Sequence, residues 1–171
     1  MRKSVIVLAA VLVAALAVVG VWWYLSRPAY PWLFKGAYAV YEGETVILFV
    51  PAKVTARLEV SDLNATHVKF FLYFKGETPF GSNETTSTYW VNIKEPAPQQ
   101  NLTRTYEREE YVEGLGLRKC VVYEYAESGG GMLMYVDKEV MWPVKIVLKY
   151  DNPPITLTLT LKETNIPGLK T

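Results

Sequence analysis

The chain has 171 residues, half of them apolar, with 18 basic and 17 acidic residues. Because Arg2, Lys3 and Arg27 are three of the basic residues and every acidic residue follows Arg27, the rest of the chain carries a net charge of −2. Such a near-neutral balance gives no electrostatic case for nucleic-acid binding, and no basic stripe interleaves with aromatic residues. The only histidine is His67 and the only cysteine is Cys120, which excludes multi-histidine and cysteine-cluster metal sites and any internal disulfide.

The first predicted element is a transmembrane helix over residues 4–25, which contain no charged side chain. A helix of 22 residues spans about 33 Å, enough to cross a hydrocarbon core of roughly 30 Å. Segment 1–3 is more basic than the residues after the run, so the positive-inside rule predicts a cytoplasmic N-terminus and an extracytoplasmic remainder. We expect Trp22, Trp23 and Tyr24 at the outer membrane interface, where amphipathic rings prefer the headgroup region.

The same run contains the small-residue pattern Ala15-Leu16-Ala17, which is typical of a signal-peptide cleavage site. Cleavage there would leave an apolar new N-terminus, and the run is longer than the usual signal core of about 7–15 residues. We therefore favour a retained signal anchor in a single-pass cell-membrane protein. Both interpretations export the remainder, which we divide into a juxtamembrane linker, 26–35, and one β domain, 36–171.

Short runs rich in β-branched and aromatic residues fill the predicted β domain, bounded by Gly, Pro, Asn or Asp. Residues 155–161 alternate isoleucine or leucine with threonine, which is typical of a strand with one buried face and one solvated face. The predicted strands are 36–41, 45–50, 53–62, 66–75, 86–93, 102–111, 117–127, 132–137, 143–150 and 155–162. Residues 76–85 and 94–101 are interpreted as longer loops.

Turn-forming residues join most of these strands over short distances, as in 62–65, 128–131 and 151–154. Successive strands joined in this way form an antiparallel meander. The predicted fold class is therefore all-β: a curved sheet or partial barrel preceded by one N-terminal transmembrane helix. A two-sheet β-sandwich is the alternative. About 140 residues after the anchor suit one domain with its own core.

Three N-x-[S/T] sequons predict N-linked glycans at Asn64, Asn83 and Asn101. Each asparagine lies beside predicted turn or loop residues, and a glycan requires a position on the surface. His67 follows the first sequon on a predicted strand, so an attached glycan would obstruct it as the base of a catalytic triad. We interpret His67 as a strand residue, and Cys120 as a buried one.

Two other sequence patterns resemble functional sites, but we interpret both as structural. The acidic residues of segment 107–113 alternate along a predicted strand, which favours a solvated face with ion pairs over an acid/base pair or a Ca²⁺ site. Residues 129–131 are three glycines without the lysine and following helix of a phosphate-binding loop. We expect no enzymatic activity, no cofactor and no metal.

Residues 134–146 read Met-Tyr-Val-Asp-Lys-Glu-Val-Met-Trp-Pro-Val-Lys-Ile. This segment resembles a hairpin of the bacterial lipoprotein-carrier superfamily, which implies a curved antiparallel half-barrel over an apolar pocket for acyl chains. Residues 36–43 and 162–169 resemble uncharacterised archaeal membrane-anchored surface proteins, which imply no known activity. From the residues alone, Asp137 ends one strand, and Trp142 is predicted to fold over the end of the sheet as an aromatic plug.

Twelve tyrosines, five tryptophans and six phenylalanines exceed what a small core requires. They could line a concave pocket, build a protein-contact face or pack a core. We expect a non-enzymatic, membrane-tethered extracytoplasmic β domain that binds an envelope protein or an amphiphilic, lipid-like ligand. The alternative function is an architectural subunit of a larger membrane or cell-envelope assembly.

Overall fold

The computed structural model describes residues 30–47, 49–93, 101–152 and 154–169. Nine strands form there: β1 (Tyr38–Ile47), β2 (Val50–Leu63), β3 (His67–Thr78), β4 (Gly81–Asn92), β5 (Leu102–Val112), β6 (Gly116–Glu127), β7 (Gly130–Asp137), β8 (Pro143–Asp151) and β9 (Pro154–Thr164). The predicted membrane helix, with Trp22, Trp23 and Tyr24, lies outside the described residues. Within the described residues, no helix has the length and apolarity needed to cross a bilayer.

One antiparallel sheet contains all nine strands, in the spatial order β4-β3-β2-β1-β9-β8-β7-β6-β5. The all-β prediction is confirmed, and hydrogen bonds between all neighbouring strands make this one sheet rather than the alternative two-sheet sandwich. Two meanders, β1 to β4 and β5 to β9, join where β1 pairs with β9. Because nine is an odd number, the edge strands β4 and β5 run in the same direction and cannot close an antiparallel barrel.

Three predicted boundaries are wrong. Residues 38–47 form one strand, β1, rather than parts of two, because Gly43 continues the strand at a close approach between backbones. A Cβ atom on Gly43 would stand 2.1 Å from the carbonyl oxygen of Thr158. The predicted strand 45–50 is interrupted, since β1 ends at Ile47 and β2 begins at Val50. The predicted loop 76–85 is instead the β3–β4 hairpin, whose two strands pair without a register shift down to the two-residue turn at its tip.

The sheet bends toward one face between β3 and β8 and toward the other face between β8 and β5. On the face that carries Tyr41, the rings of Phe70 in β3 and Trp142 before β8 have centroids 6.1 Å apart, although three strands separate β3 from β8. On the opposite face, Lys145 Nζ in β8 lies 2.7 Å from Glu110 Oε1 in β5, with β6 and β7 between them. We name these two surfaces the Tyr41 face and the Lys145 face.

The Tyr41 face is closed at one end, where Trp142 is only 2% exposed. The indole Nε1–H of Trp142 donates to the Tyr41 hydroxyl at 2.8 Å, and that hydroxyl donates to the carbonyl of Pro143 at 2.8 Å. Trp32 packs on Trp142 with ring centroids 5.3 Å apart. The prediction that Trp142 plugs the sheet end is confirmed, and we name this end the closed end.

The opposite end of the sheet is formed by the turns of the β1–β2, β3–β4, β6–β7 and β8–β9 hairpins, and we name it the open end. Tyr30 stacks on Trp32, so the described chain begins at the closed end. A strand of 12 residues such as β3 separates the two ends by roughly 35–40 Å.

Candidate ligand-binding groove

An open apolar groove of about 520 Å³ lies on the Tyr41 face at the open end. Its floor and walls come from β1, β2, β3, the start of β4, and the β8–β9 hairpin. The apolar side chains that line it include Ala52, Val54, Phe74, Ile155 and Leu157. This volume falls within the range of about 300–1,000 Å³ that is typical of small-molecule sites.

Strand alternation builds the groove floor. Along β2, Ala52 and Val54 are buried on the Tyr41 face, while Lys53 between them points to the opposite face. Opposite Val54, β3 carries Gly76, and a Cβ added to Gly76 would meet no atom within 4 Å. The small side chain of Ala52 and the lack of a side chain at Gly76 leave space in the groove that larger residues would fill.

The groove lies beside the junction of the two meanders. The β1–β9 ladder is short: its paired residues on β1 run only from Ala39 to Glu42, whereas β1 pairs with β2 as far as Ile47. Beyond the ladder, the Thr45 hydroxyl donates to the carbonyl of Thr156 at 2.9 Å. Where the backbone ladder between β1 and β9 has ended, this side-chain hydrogen bond therefore connects the two strands, and with them the two meanders, along the groove wall.

Polar groups stand at the rim of the groove rather than on its floor. Glu77 and Tyr150 both line the site, and Tyr150 is exposed. Lys75 Nζ lies 2.7 Å from Glu77 Oε1, and its hydrogen bond lowers the pKa of the Glu77 carboxyl. The site thus combines an apolar interior with an ion-paired rim, an arrangement that suits binding of an amphiphile rather than proton transfer.

The three sequon asparagines are exposed, as glycan attachment requires. Asn64 forms a tight turn in which its Oδ1 accepts hydrogen bonds from the backbone N–H groups of Thr66 and His67, at 2.9 and 2.8 Å. Asn83 lines the groove near the start of β4, so a glycan there would stand at the groove entrance. Asn101 immediately precedes β5. Glycosylation of all three stays a prediction.

His67 lies away from the groove, and its Nδ1 contacts the Thr66 hydroxyl at 2.8 Å. The acidic residues of segment 107–113 form ion pairs across the sheet: Glu107 with Lys138, Glu110 with Lys145, and Glu113 with Lys162. The ion-pair interpretation is confirmed, but a fully solvated face is wrong, since Glu110 is buried. In the part of the chain that the structure describes, no group of three or more His, Cys, Asp or Glu could hold a metal.

Sequence reasoning missed a buried ion pair at the closed end. Asp137 is 1% exposed, and its Oδ2 accepts a hydrogen bond from Arg118 Nε at 2.6 Å, which raises the pKa of the guanidinium. Asp137 Oδ1 accepts the backbone N–H groups of Glu139 and Val140, both at 2.9 Å. Oδ1 therefore holds the β7–β8 turn and Oδ2 joins it to Arg118 in β6, so the role of this carboxylate is structural.

Cys120 is buried within β6, as predicted, and burial raises the pKa of its thiol to about 11. A thiol in this state is a poor nucleophile at neutral pH.

Comparison with known proteins assigns no family. The chain matches no family model and gives no significant match to a curated protein. A proposal about function therefore depends on the geometry of the groove. The resemblances to lipoprotein carriers and to archaeal surface proteins stay predictions.

Proposed function

We propose that this protein is a non-enzymatic, membrane-tethered extracytoplasmic β domain whose groove holds the apolar part of an amphiphilic, lipid-like ligand. The observation that carries the proposal is the open apolar groove on the Tyr41 face, which Ala52 and Gly76 leave empty. The uncharged run 4–25 supplies the proposed tether, and the remainder lies on the extracytoplasmic side.

The chemistry of the lining favours this ligand class. Each methylene group that leaves water for an apolar wall contributes about 0.8 kcal/mol, so an alkyl chain against Val54, Phe74 and Leu157 gains affinity with length. The polar part of the ligand remains at the rim, beside Tyr150 and the Lys75–Glu77 pair. The groove is open rather than enclosed, which suits a ligand that enters and leaves.

The test uses the full chain in nanodiscs with a fatty acid that carries a photoactivatable diazirine at its alkyl end. After illumination, peptide mass spectrometry maps the cross-linked residues. We expect cross-links on the groove strands β2, β3 and β9. Cross-links confined to residues 4–25 would show that the probe only entered the bilayer and would refute the groove as its binding site.

Gly76→Leu is the blocking variant, because its side chain extends into the empty space of the groove from a backbone that accepts any residue. Thr55→Leu is the matched control: it introduces the same side chain on the neighbouring strand β2, on the face opposite the groove. Groove cross-links should disappear in Gly76→Leu and persist in Thr55→Leu. Equal labelling of both variants contradicts the proposal.

A second candidate function, as an architectural subunit of an envelope assembly, is favoured by the edge strand β4. Its residues 81–91 are exposed, and it pairs with β3 without a bulge. Among the described residues, no strand pairs with its outer edge. Glu84 is the only charged residue in β4, whereas natural edge strands are usually protected by charges, prolines or bulges. Such an edge is suited to pairing with a strand of a neighbouring subunit.

Light scattering on the full chain in mild detergent distinguishes this second function. If β4 pairs with another strand, the wild type is oligomeric or retains a partner, and Ser87→Lys in the centre of β4 releases it. Thr105→Lys on the other edge strand, β5, is the control and should leave the mass unchanged. A monomeric wild type without a partner eliminates the architectural function.

A further inference from the structure

Two neighbouring hairpin turns at the open end each carry an aromatic side chain that is almost fully exposed to solvent; we name these turns the tips. Phe49 in the β1–β2 turn is 96% exposed, and Phe80 in the β3–β4 turn is 85% exposed. Residues 46–51 read Val-Ile-Leu-Phe-Val-Pro, so six consecutive apolar residues surround the first tip. Hairpin turns in water normally use Gly, Asn, Asp or Ser, so these tips depart from ordinary turn chemistry.

Phe49 also has an unusual backbone, with φ at +69°. Residues with a bulky side chain rarely adopt this left-handed conformation, which glycine or asparagine would accept at lower cost. Backbone strain of this kind clusters at functional positions. A strained phenylalanine that makes little contact with its own protein points to a function for the exposed ring.

We propose that the open end of the sheet inserts Phe49 and Phe80 into a lipid surface, from which the groove takes its ligand. Ligand uptake rests on the function proposed above, but docking of the tips does not. Fluid hydrocarbon accepts separate, protruding apolar tips of any shape, whereas a protein partner would need a matching pocket for each.

Continuity with the groove supports a lipid occupant. Phe80 belongs both to the exposed tip and to the lining of the groove, so hydrocarbon around this ring is continuous with the apolar interior. A chain can then move from the lipid surface into the groove without crossing water, which avoids the cost of exposing apolar surface.

Charges near the tips favour a zwitterionic surface over an anionic one. Lys53, close to the first tip, pairs with Glu42 at 3.3 Å, and Lys75, close to the second, pairs with Glu77 at 2.7 Å. These lysines are neutralised and form no cationic cluster of the kind that attracts anionic lipid. Because the tips lie at the end opposite Tyr30, they are placed to reach a lipid surface other than the one that holds the chain.

The experiment measures capture of protein-free, fluorescent phosphatidylcholine vesicles by the full chain immobilised in nanodiscs. We expect capture by the wild type and a loss of roughly tenfold or more in Phe49→Asp/Phe80→Asp, because two apolar rings no longer transfer into hydrocarbon. Tyr111→Asp/Leu117→Asp is the matched control: it replaces two exposed apolar residues at the closed end and should retain capture.

Gly76→Leu separates docking from ligand binding, since a blocked groove should leave vesicle capture intact. A wild type that captures vesicles but gives no groove cross-links would refute the ligand site alone. A wild type that does not capture vesicles, or a tip variant that captures as well as the wild type, overturns the docking proposal. Capture that requires a protein in the vesicle assigns the tips to a protein partner and also overturns it.

A second measurement does not depend on the folding of the aspartate variant. An environment-sensitive dye on Phe80→Cys should shift its emission to the blue when phosphatidylcholine vesicles are added, and a dye on Leu117→Cys should not. The native Cys120 is buried and stays unlabelled. Equal responses at both positions contradict insertion of the tips.

Discussion

The hydroxyl of Tyr41 accepts a hydrogen bond from Trp142 Nε1 at 2.8 Å and donates one to the carbonyl of Pro143 at 2.8 Å. Tyr41 lies on β1, in the first meander, whereas Trp142 ends the β7–β8 turn and Pro143 begins β8, in the second meander. One hydroxyl therefore satisfies two polar groups of a distant turn and joins the meanders at the closed end.

Tyr41→Phe tests this link. It leaves the indole N–H and a backbone carbonyl without their partner at a buried site, so we expect it to lower the free energy of unfolding by about 1–3 kcal/mol. Chemical denaturation of the full chain measures the change. Tyr38→Phe, which removes a hydroxyl bonded to Glu163 on the surface, should change stability by no more than about 0.5 kcal/mol. Equal effects of both variants would mean that the buried bond is unimportant.

Gly43 and Gly76 differ in the space around them, although both lie within strands. Gly43→Ala places a methyl group 2.1 Å from the Thr158 carbonyl oxygen, and the required backbone shift should cost roughly 1–3 kcal/mol. Gly76→Ala meets no atom and should be neutral or slightly stabilising, because alanine loses less backbone entropy on folding. Thermal melting of the two variants compares them, and a similar loss in both refutes the close approach.

In the ion pair of Arg118 and Asp137 the carboxylate is buried and the guanidinium is mostly covered, in contrast to the exposed pair of Lys35 and Asp62. Arg118→Leu leaves a buried carboxylate with only its backbone donors, so we expect a loss of about 3–5 kcal/mol. Lys35→Leu removes a surface pair and should cost at most about 1 kcal/mol. Urea unfolding curves provide both values, and a small effect of Arg118→Leu would mean that the turn amides alone hold Asp137.

Cys120 gives a pH-dependent prediction. Because burial raises the pKa of its thiol from 9.0 to about 11, the folded state keeps the proton that the unfolded chain releases first. The contribution of Cys120 to stability is therefore complete below pH 9 and is lost as the pH rises from 9 to 11. Comparison of unfolding free energies at pH 8 and pH 10.5 should show a smaller decline in Cys120→Ala than in the wild type. Identical declines would contradict the raised pKa.

The thiol should also be chemically silent in the native state. A thiol reagent at pH 8 should react with the full chain only after denaturant unfolds it, since Cys120 is buried and protonated. Leu117→Cys provides an accessible thiol as a positive control. Rapid reaction of the native wild type would show that β6 opens far more readily than its burial indicates.

The sequence by itself determined the strand content, the meander connections and the plug at Trp142. These features depend on local patterns, such as the period of two in residues 155–161 and the turn residues between strands, which act over a few positions. The same local reasoning failed at 76–85. There Gly76, Pro79 and Gly81 resemble a loop, but pairing along the whole of β3 and β4 outweighs them.

Only the tertiary structure decided the direction in which the sheet curves, the burial of Glu110 and the groove. Bending depends on contacts between residues distant in sequence, such as Phe70 with Trp142 and Glu110 with Lys145. The alternation of apolar and polar residues along a strand shows which side chains share a face of the sheet. It does not show which of the two faces becomes concave. The empty space above Gly76 is a property of the folded sheet, since it exists only where strands from both meanders surround a residue without a side chain.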